Sequence, residues 1–220
     1  MAPSPESIGD QGADLGQSQR FVFGDLWRFS GRFYLLVALC TFFYAAFFPF
    51  TSFAPDFLSE RFHIDPTAAG RLTSLQTFST MLLSPLIGLF LDRRGHHGRL
   101  LLLGSVIMIP CYLLLALSSG SPIPAVLGLG ISFSLVPAVV WPMVPLLVPA
   151  ERVGSAYGLM SMLQAVGMAL VPWGSGALRD ATGSYPASLL LLAGLGGACT
   201  AVGLLSLRSF RGLRSVSAGY

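Results

Sequence analysis

The chain has 220 residues, of which 53% are hydrophobic and only 10% charged. A soluble domain carries roughly 25% charged residues, so a water-soluble fold is excluded. The net charge is +3 and the pI about 9.0, a basic excess that in a membrane protein reflects cytoplasmic loops rather than nucleic-acid binding. All 13 basic residues are arginine, and neither Lys nor Asn occurs. A Walker-type phosphate loop, which needs its lysine, and N-linked glycosylation, which needs Asn, are therefore excluded.

Residues 1–32 read as a flexible cytoplasmic tail and linker. Their first part is rich in Gly and Ser, with no apolar core of the kind a signal peptide needs. Charge-free runs follow at 33–55, 72–91, 153–178 and 181–207. Each is long enough for the roughly 20 residues of a transmembrane helix. A further charge-free run covers 100–150, 51 residues, and must be broken once. Ser118-Ser119-Gly120-Ser121-Pro122-Ile123-Pro124 breaks it, because Ser, Gly and Pro punctuate helices. The predicted spans are then about 33–57, 70–91, 99–118, 124–148, 152–178 and 185–207, followed by a basic cytoplasmic tail at 208–220. The runs are uninterruptedly apolar rather than alternating, which favours helices over barrel strands. The expected fold class is an all-α integral membrane domain at 33–207.

Six spans place both termini on one side of the membrane. Taking that side as cytoplasmic gives it Arg20, Arg28, Arg32, Arg93, Arg94, Arg99, Arg152, Arg208, Arg211 and Arg214. Arg61, Arg71 and Arg179 fall on the other side, a clear positive-inside bias. Cys40, Cys111 and Cys199 each stand alone in an apolar run and read as small buried hydrophobes.

A repeat emerges from the loops. Gly88-Leu-Phe-Leu-Asp92-Arg-Arg-Gly95 closes the second span, and Gly176-Ala-Leu-Arg-Asp180-Ala-Thr-Gly183 closes the fifth. Both read G-x-x-x-D-x-x-G at an offset of 88 residues (176 − 88). Spans three helices apart run in opposite directions, so the pair fits an inverted-topology 3+3 unit of the kind found in secondary transporters.

The segment from Gly88 to Arg99 (GLFLDRRGHHGR) resembles the loop signature of the major facilitator superfamily. In that reading Gly88, Asp92, Arg93 and Gly95 form a conformational-switch loop. Asp92 accepts hydrogen bonds at a neighbouring helix N-terminus, and Arg93 anchors at the cytoplasmic interface. Further strings carry the likeness over about residues 33–207. They are Phe48-Pro49-Phe50, Ser84-Pro85, Ala138-Val139-Val140-Trp141-Pro142-Met143-Val144, Val148-Pro149 and Gly154-Ser155-Ala156-Tyr157-Gly158. In this order the chain is similar to the carboxy-terminal half of a lysosomal dipeptide-transporter branch of that superfamily.

The resemblance implies a uniporter in the lysosomal membrane that moves dipeptides without a cofactor, accompanied by an accessory lysosomal membrane glycoprotein. Complete transporters of the family have twelve spans. The resemblance therefore also implies a missing amino-terminal half, with its charged contacts and sorting signal, or pairing as a homodimer. Fragment, short isoform and mis-predicted gene product all fit six spans.

Transporter sites lie near the midplane, where helices break and polar groups face a cavity. Trp141, flanked by Pro137, Pro142 and Pro145, is the leading substrate-binding candidate. Its other reading is a membrane-interface tryptophan. Tyr44 and Phe43, before Pro49, are candidates for the same cavity, against lipid or core contact. Gln76 and Gln164 are long amides within apolar spans, suited to a peptide backbone or to helix–helix bonding. Tyr157 with Gly154 and Gly158 reads as a packing face. Asp56, Glu60, His63 and Asp65 cluster on the lumenal side, where His63 titrates or all four are simply solvated. No catalytic residue or metal site is expected. The histidines lie in loops, no H-e-x-x-H zinc motif occurs, and Gly174-Ser175-Gly176 lacks rhomboid-type spacing. The competing function is a non-transporting half-length subunit with an assembly or regulatory role.

Overall fold

The computed structural model describes residues 29–94 and 97–210, apart from the side chains of Asp92, Arg94 and Arg208. The expected terminal tails therefore fall largely outside the described residues, as does Gly95. Six long helices are described: α1 (Gly31–Phe62), α2 (Pro66–Arg94), α3 (His97–Leu117), α4 (Ile123–Leu147), α5 (Val153–Thr182) and α6 (Pro186–Ser209). Each contains a stretch long and apolar enough to cross a membrane. A single 3₁₀ turn, Ala150–Arg152, joins α4 to α5.

The helix ends follow local chemistry. Ser30 caps α1 by accepting a hydrogen bond from the Phe33 amide at 3.4 Å. His63 closes the other end in the left-handed region at φ 52°. Asp65 then accepts from the Thr67 amide at 2.9 Å, capping α2 with Pro66 in the first helical position. Gly183 ends α5 at φ 66°, donating its amide to the Arg179 carbonyl at 2.7 Å. A side chain at that φ would be strained, which is the physical reason for a glycine at position 183.

The packing follows the 3+3 repeat. α2 lies on α4 as α5 lies on α1, α3 lies on α4 as α6 lies on α1, and α3 and α6 pair with each other. Exchanging the two triplets swaps the first four contacts in pairs and maps the α3–α6 contact onto itself. α1 and α4 form the middle of the bundle, with 67% and 56% of their most apolar stretches buried. α2 and α5 lie at the outside, with only 11% and 22% buried. Phe78, Met81, Leu82 and Leu86 on α2, and Leu170 and Trp173 on α5, consequently present a bare apolar face.

Lipid is as apolar as the bundle core, so close backbone approach and interhelical hydrogen bonds hold such helices together. Gly130 of α4 meets α2 so closely that an added Cβ would lie 2.9 Å from the Gln76 carbonyl oxygen. Gly167 of α5 meets α1 the same way, 3.0 Å from the Ala45 Cβ. Side-chain hydroxyls complete the crossings. Tyr112 donates to the Ala46 carbonyl at 2.7 Å, Ser132 to Gly104 at 2.7 Å, Thr80 to Gly130 at 3.2 Å, and Ser188 to Ser175 at 2.8 Å. Cys40, Cys111 and Cys199 are free and buried.

Candidate functional site

Proline chemistry builds the centre of the bundle. α4 contains Pro137, Pro142 and Pro145, and α1 contains Pro49 and Pro55. A helical proline has no N–H to give the carbonyl four residues earlier. Pro145 thus leaves the Trp141 carbonyl without its helical donor. Tyr157 of α5 fills the gap, donating its hydroxyl to that carbonyl at 3.0 Å. The two rings stack, with centroids 5.8 Å apart and planes 22° from parallel.

Trp141 reaches across to α1 as well. Its Nε1–H donates to the Tyr44 hydroxyl at 3.0 Å. Tyr44 is stacked on Phe48 at 5.5 Å and meets Phe133 of α4 edge-on at 5.8 Å. Phe133 in turn stacks on Phe47 at 4.1 Å. Four aromatic side chains of α1, two of α4 and one of α5 therefore form one connected cluster where the central helices cross. Trp141 and Tyr157 are half-buried, while Tyr44 is 6% exposed. Phe43 is fully buried, packed on Phe47 and Phe133 behind Tyr44, so in this conformation it supports the cluster from within. Phe133 and Phe47 were not singled out in the sequence; nothing separates them there from other phenylalanines of the spans.

The two glutamines sit at equivalent places. Their numbers differ by 88 (164 − 76), the same offset as the two G-x-x-x-D-x-x-G loops. Gln76 lies where α2 meets α4, beside Gly130, and Gln164 where α5 meets α1. Gln164 is occupied locally, accepting from the Cys40 thiol and donating to the Met168 sulfur, both at 3.7 Å. Gln76 is only 3% exposed, and among the described residues its amide has no hydrogen-bond partner. It lines a cavity of about 200 Å³ with Thr51, Thr73, Ser74 and Thr77. A larger cavity, about 670 Å³, lies between the N-terminal end of α1 and the C-terminal ends of α4 and α6.

At the loop signature, Gly88 lies inside α2 with open space around it, and Arg93 is exposed near the helix end. The Asp92 side chain and Gly95 are outside the described residues. The matching end of α5 is described fully. Arg179 pairs with Glu60 of α1 at 3.2 Å and lies 4.2 Å above the Tyr185 ring. Burial pushes the Tyr185 phenol above its ordinary range, with Arg179 working against the shift. Asp56 and His63 lie at the same end of α1, and Asp65 follows at the start of α2.

Residues 35–217 match the family model of the Major Facilitator Superfamily. The chain belongs to the major facilitator superfamily. Its six helices are one half of that fold, consistent with the exchange symmetry of their packing. The lysosomal dipeptide transporter MFSD1 of Danio rerio is 31% identical over 183 residues, which cover 83% of this chain and 40% of that protein. MFSD1 of Homo sapiens is 31% identical over 182 residues, covering 83% of this chain and 38% of that protein. MFSD1 of Gallus gallus is 30% identical over 159 residues, covering 72% and 36%. The chain thus spans about two fifths of the length of these relatives. It is a multi-pass membrane protein of a transporter family.

Proposed function

We propose that the chain supplies the carboxy-terminal half of a lysosomal carrier that moves dipeptides by uniport. The observation that supports this best is the Tyr44–Trp141–Tyr157 assembly, which ties the two central helices to α5 through aromatic rings and hydrogen bonds. Aromatic faces take up varied side chains, while hydroxyl and indole groups offer a few fixed hydrogen bonds. That combination suits a solute whose backbone is constant and whose side chains differ. Within the described membrane helices no carboxylate or basic pair faces this assembly, which fits uniport rather than proton coupling in this half. The dipeptide and the lysosome are taken from the MFSD1 relatives.

In this reading Trp141 and Tyr44 contact the solute, Phe43 backs Tyr44, and Gln76 and Gln164 stand at the flanking crossings. The loop from Gly88 through Asp92 and Arg93 to Gly95 switches at the cytoplasmic side. The bare face of α2 and α5 meets a complementary six-helix half, which provides the charged contacts to the peptide termini. An accessory lysosomal glycoprotein covers the lumenal side. A sealed-vesicle assay tests the reading. The chain, reconstituted with the complementary half of an MFSD1 relative, is expected to carry labelled Ala-Ala, with Trp141→Ala reducing flux at least tenfold. Unimpaired flux in the variant, or none with the wild-type pair, defeats it in favour of the non-transporting subunit.

A further inference from the structure

Gln76 and Gln164 are counterparts in the repeat, yet only one is spoken for. Gln164 is held between Cys40 and Met168, whereas Gln76 is buried with a free carboxamide on a small cavity. The Gln76 carboxamide faces the cavity with its donors and acceptor still accessible and no protein partner, so a broken symmetry of this kind points to a ligand.

The rest of the lining has a consistent chemistry. Thr51 donates its hydroxyl proton to the Phe48 carbonyl at 2.7 Å. Thr73 and Ser74 both donate to Gly70, at 2.8 and 2.9 Å. A hydroxyl that spends its proton on its own helix keeps only lone pairs for other partners. The cavity therefore presents several acceptor oxygens, the Thr77 hydroxyl and, from Gln76, two N–H donors and one carbonyl. No charged side chain lines it, so it cannot compensate the desolvation of an ion. About 200 Å³ is below the roughly 300–1,000 Å³ of a whole small-molecule site. The size suits one residue-sized group.

We propose that this α1–α2 notch is a subsite for the uncharged amide of the carried solute. The amide N–H donates to the Thr51 and Thr73 oxygens, and the amide carbonyl accepts from Gln76 Nε2. The proposal rests on the dipeptide reading above and adds a second contact region to the aromatic one. Thr51 lies seven residues beyond Tyr44 on α1, hence on the same helix face and about 10 Å along the axis. An extended two-residue solute spans about 7 Å between its ends, and a side chain covers the remainder towards Trp141.

Equilibrium binding to the full chain in lipid nanodiscs, alone and with the complementary half, tests this. The probes are Ala-Ala and alanyl-lactate, whose ester oxygen replaces the amide N–H. The wild type is expected to prefer Ala-Ala by about tenfold, the effect of one lost hydrogen bond. Thr51→Val, an isosteric change at an exposed position, should erase that preference. Gln76→Leu should weaken both probes about tenfold. If Gln76→Leu does not fold, Thr51→Val decides alone. Unchanged preference in Thr51→Val, while Trp141→Ala weakens Ala-Ala, overturns the notch and leaves the dipeptide reading standing. Failure of the wild type to bind Ala-Ala in either form overturns both.

Discussion

Tyr157 donates its hydroxyl to the one carbonyl, that of Trp141, which Pro145 leaves without a helical donor. The sequence places these residues 16 apart with no visible tie, and only the α4–α5 crossing joins them. Removing the hydroxyl with Tyr157→Phe keeps the ring stack but strands the carbonyl in an apolar interior, at a cost of about 1–2 kcal/mol. Pro145→Ala restores an N–H to the same carbonyl. The thermal midpoint should therefore fall for Tyr157→Phe in the native background and fall much less in Pro145→Ala. Additive effects in that double-mutant cycle would mean that the bond is incidental.

Glycines at the crossings differ sharply from glycines in open space. Gly130→Ala drives a methyl to 2.9 Å from a backbone oxygen, which cannot yield as a side chain would. Overpacking of this type costs about 1–3 kcal/mol. Gly88 has nothing within 4 Å of an added methyl, and the same substitution there should hold or raise stability by up to about 1 kcal/mol. Thermal unfolding followed by size-exclusion recovery in detergent separates the two. Equal losses would mean that α2 and α4 are not in close backbone contact.

Tyr185 combines a buried hydroxyl that has no partner among the described residues with a ring that receives Arg179 at 4.2 Å. Tyr185→Phe keeps the ring and removes the stranded hydroxyl, so stability should rise by about 1 kcal/mol. Burial raises the phenol pKa above its ordinary 10.0. The unfolded chain therefore loses this proton first as the solution becomes alkaline. Native stability should be flat with respect to this group below pH 10 and decline above it, and the decline should vanish in Tyr185→Phe. A wild-type profile identical to that of the variant would show that the phenol is not buried.

Arg179 and Glu60 are about half exposed, with side-chain accessibilities of 48% and 56%, so their pairing contributes under about 1 kcal/mol. Glu60→Gln should leave the thermal midpoint within about 0.5 kcal/mol of wild type. A larger loss, measured at low and high salt, would mean that the pair lies in a dry interface.

The six long apolar helices were legible in the sequence, because apolar length is a one-dimensional signal, although several helices run a few residues past the expected spans. Pro66 and Pro186, which open α2 and α6, were not singled out in the sequence. Rotation about each helix axis was not legible. In a soluble helix an apolar stripe gives the rotation, but here core and lipid are equally apolar, and Phe43, buried, looks like Phe78, exposed. Trp141 and Tyr44 stood out by their prolines and polar tips, whereas Phe133 and the Thr51 notch needed three-dimensional placement. The 88-residue spacing of Gln76 and Gln164 was present in the sequence and gained meaning only when their helices were seen to occupy matching crossings.

The two triplets must cross the membrane in opposite senses for the α1–α4 crossing to wall a passage open in turn to either side. Arg93, at the end of α2, and Arg179, at the end of α5, report this directly because both are solvent-accessible. Each is replaced by cysteine in a background lacking Cys40, Cys111 and Cys199, then treated with a membrane-impermeant thiol reagent on sealed vesicles of known orientation. Labelling of Arg93→Cys from the cytoplasmic side alone, and of Arg179→Cys from the lumenal side alone, is the predicted result. Labelling of both from one side would contradict the inverted arrangement and the passage built on it.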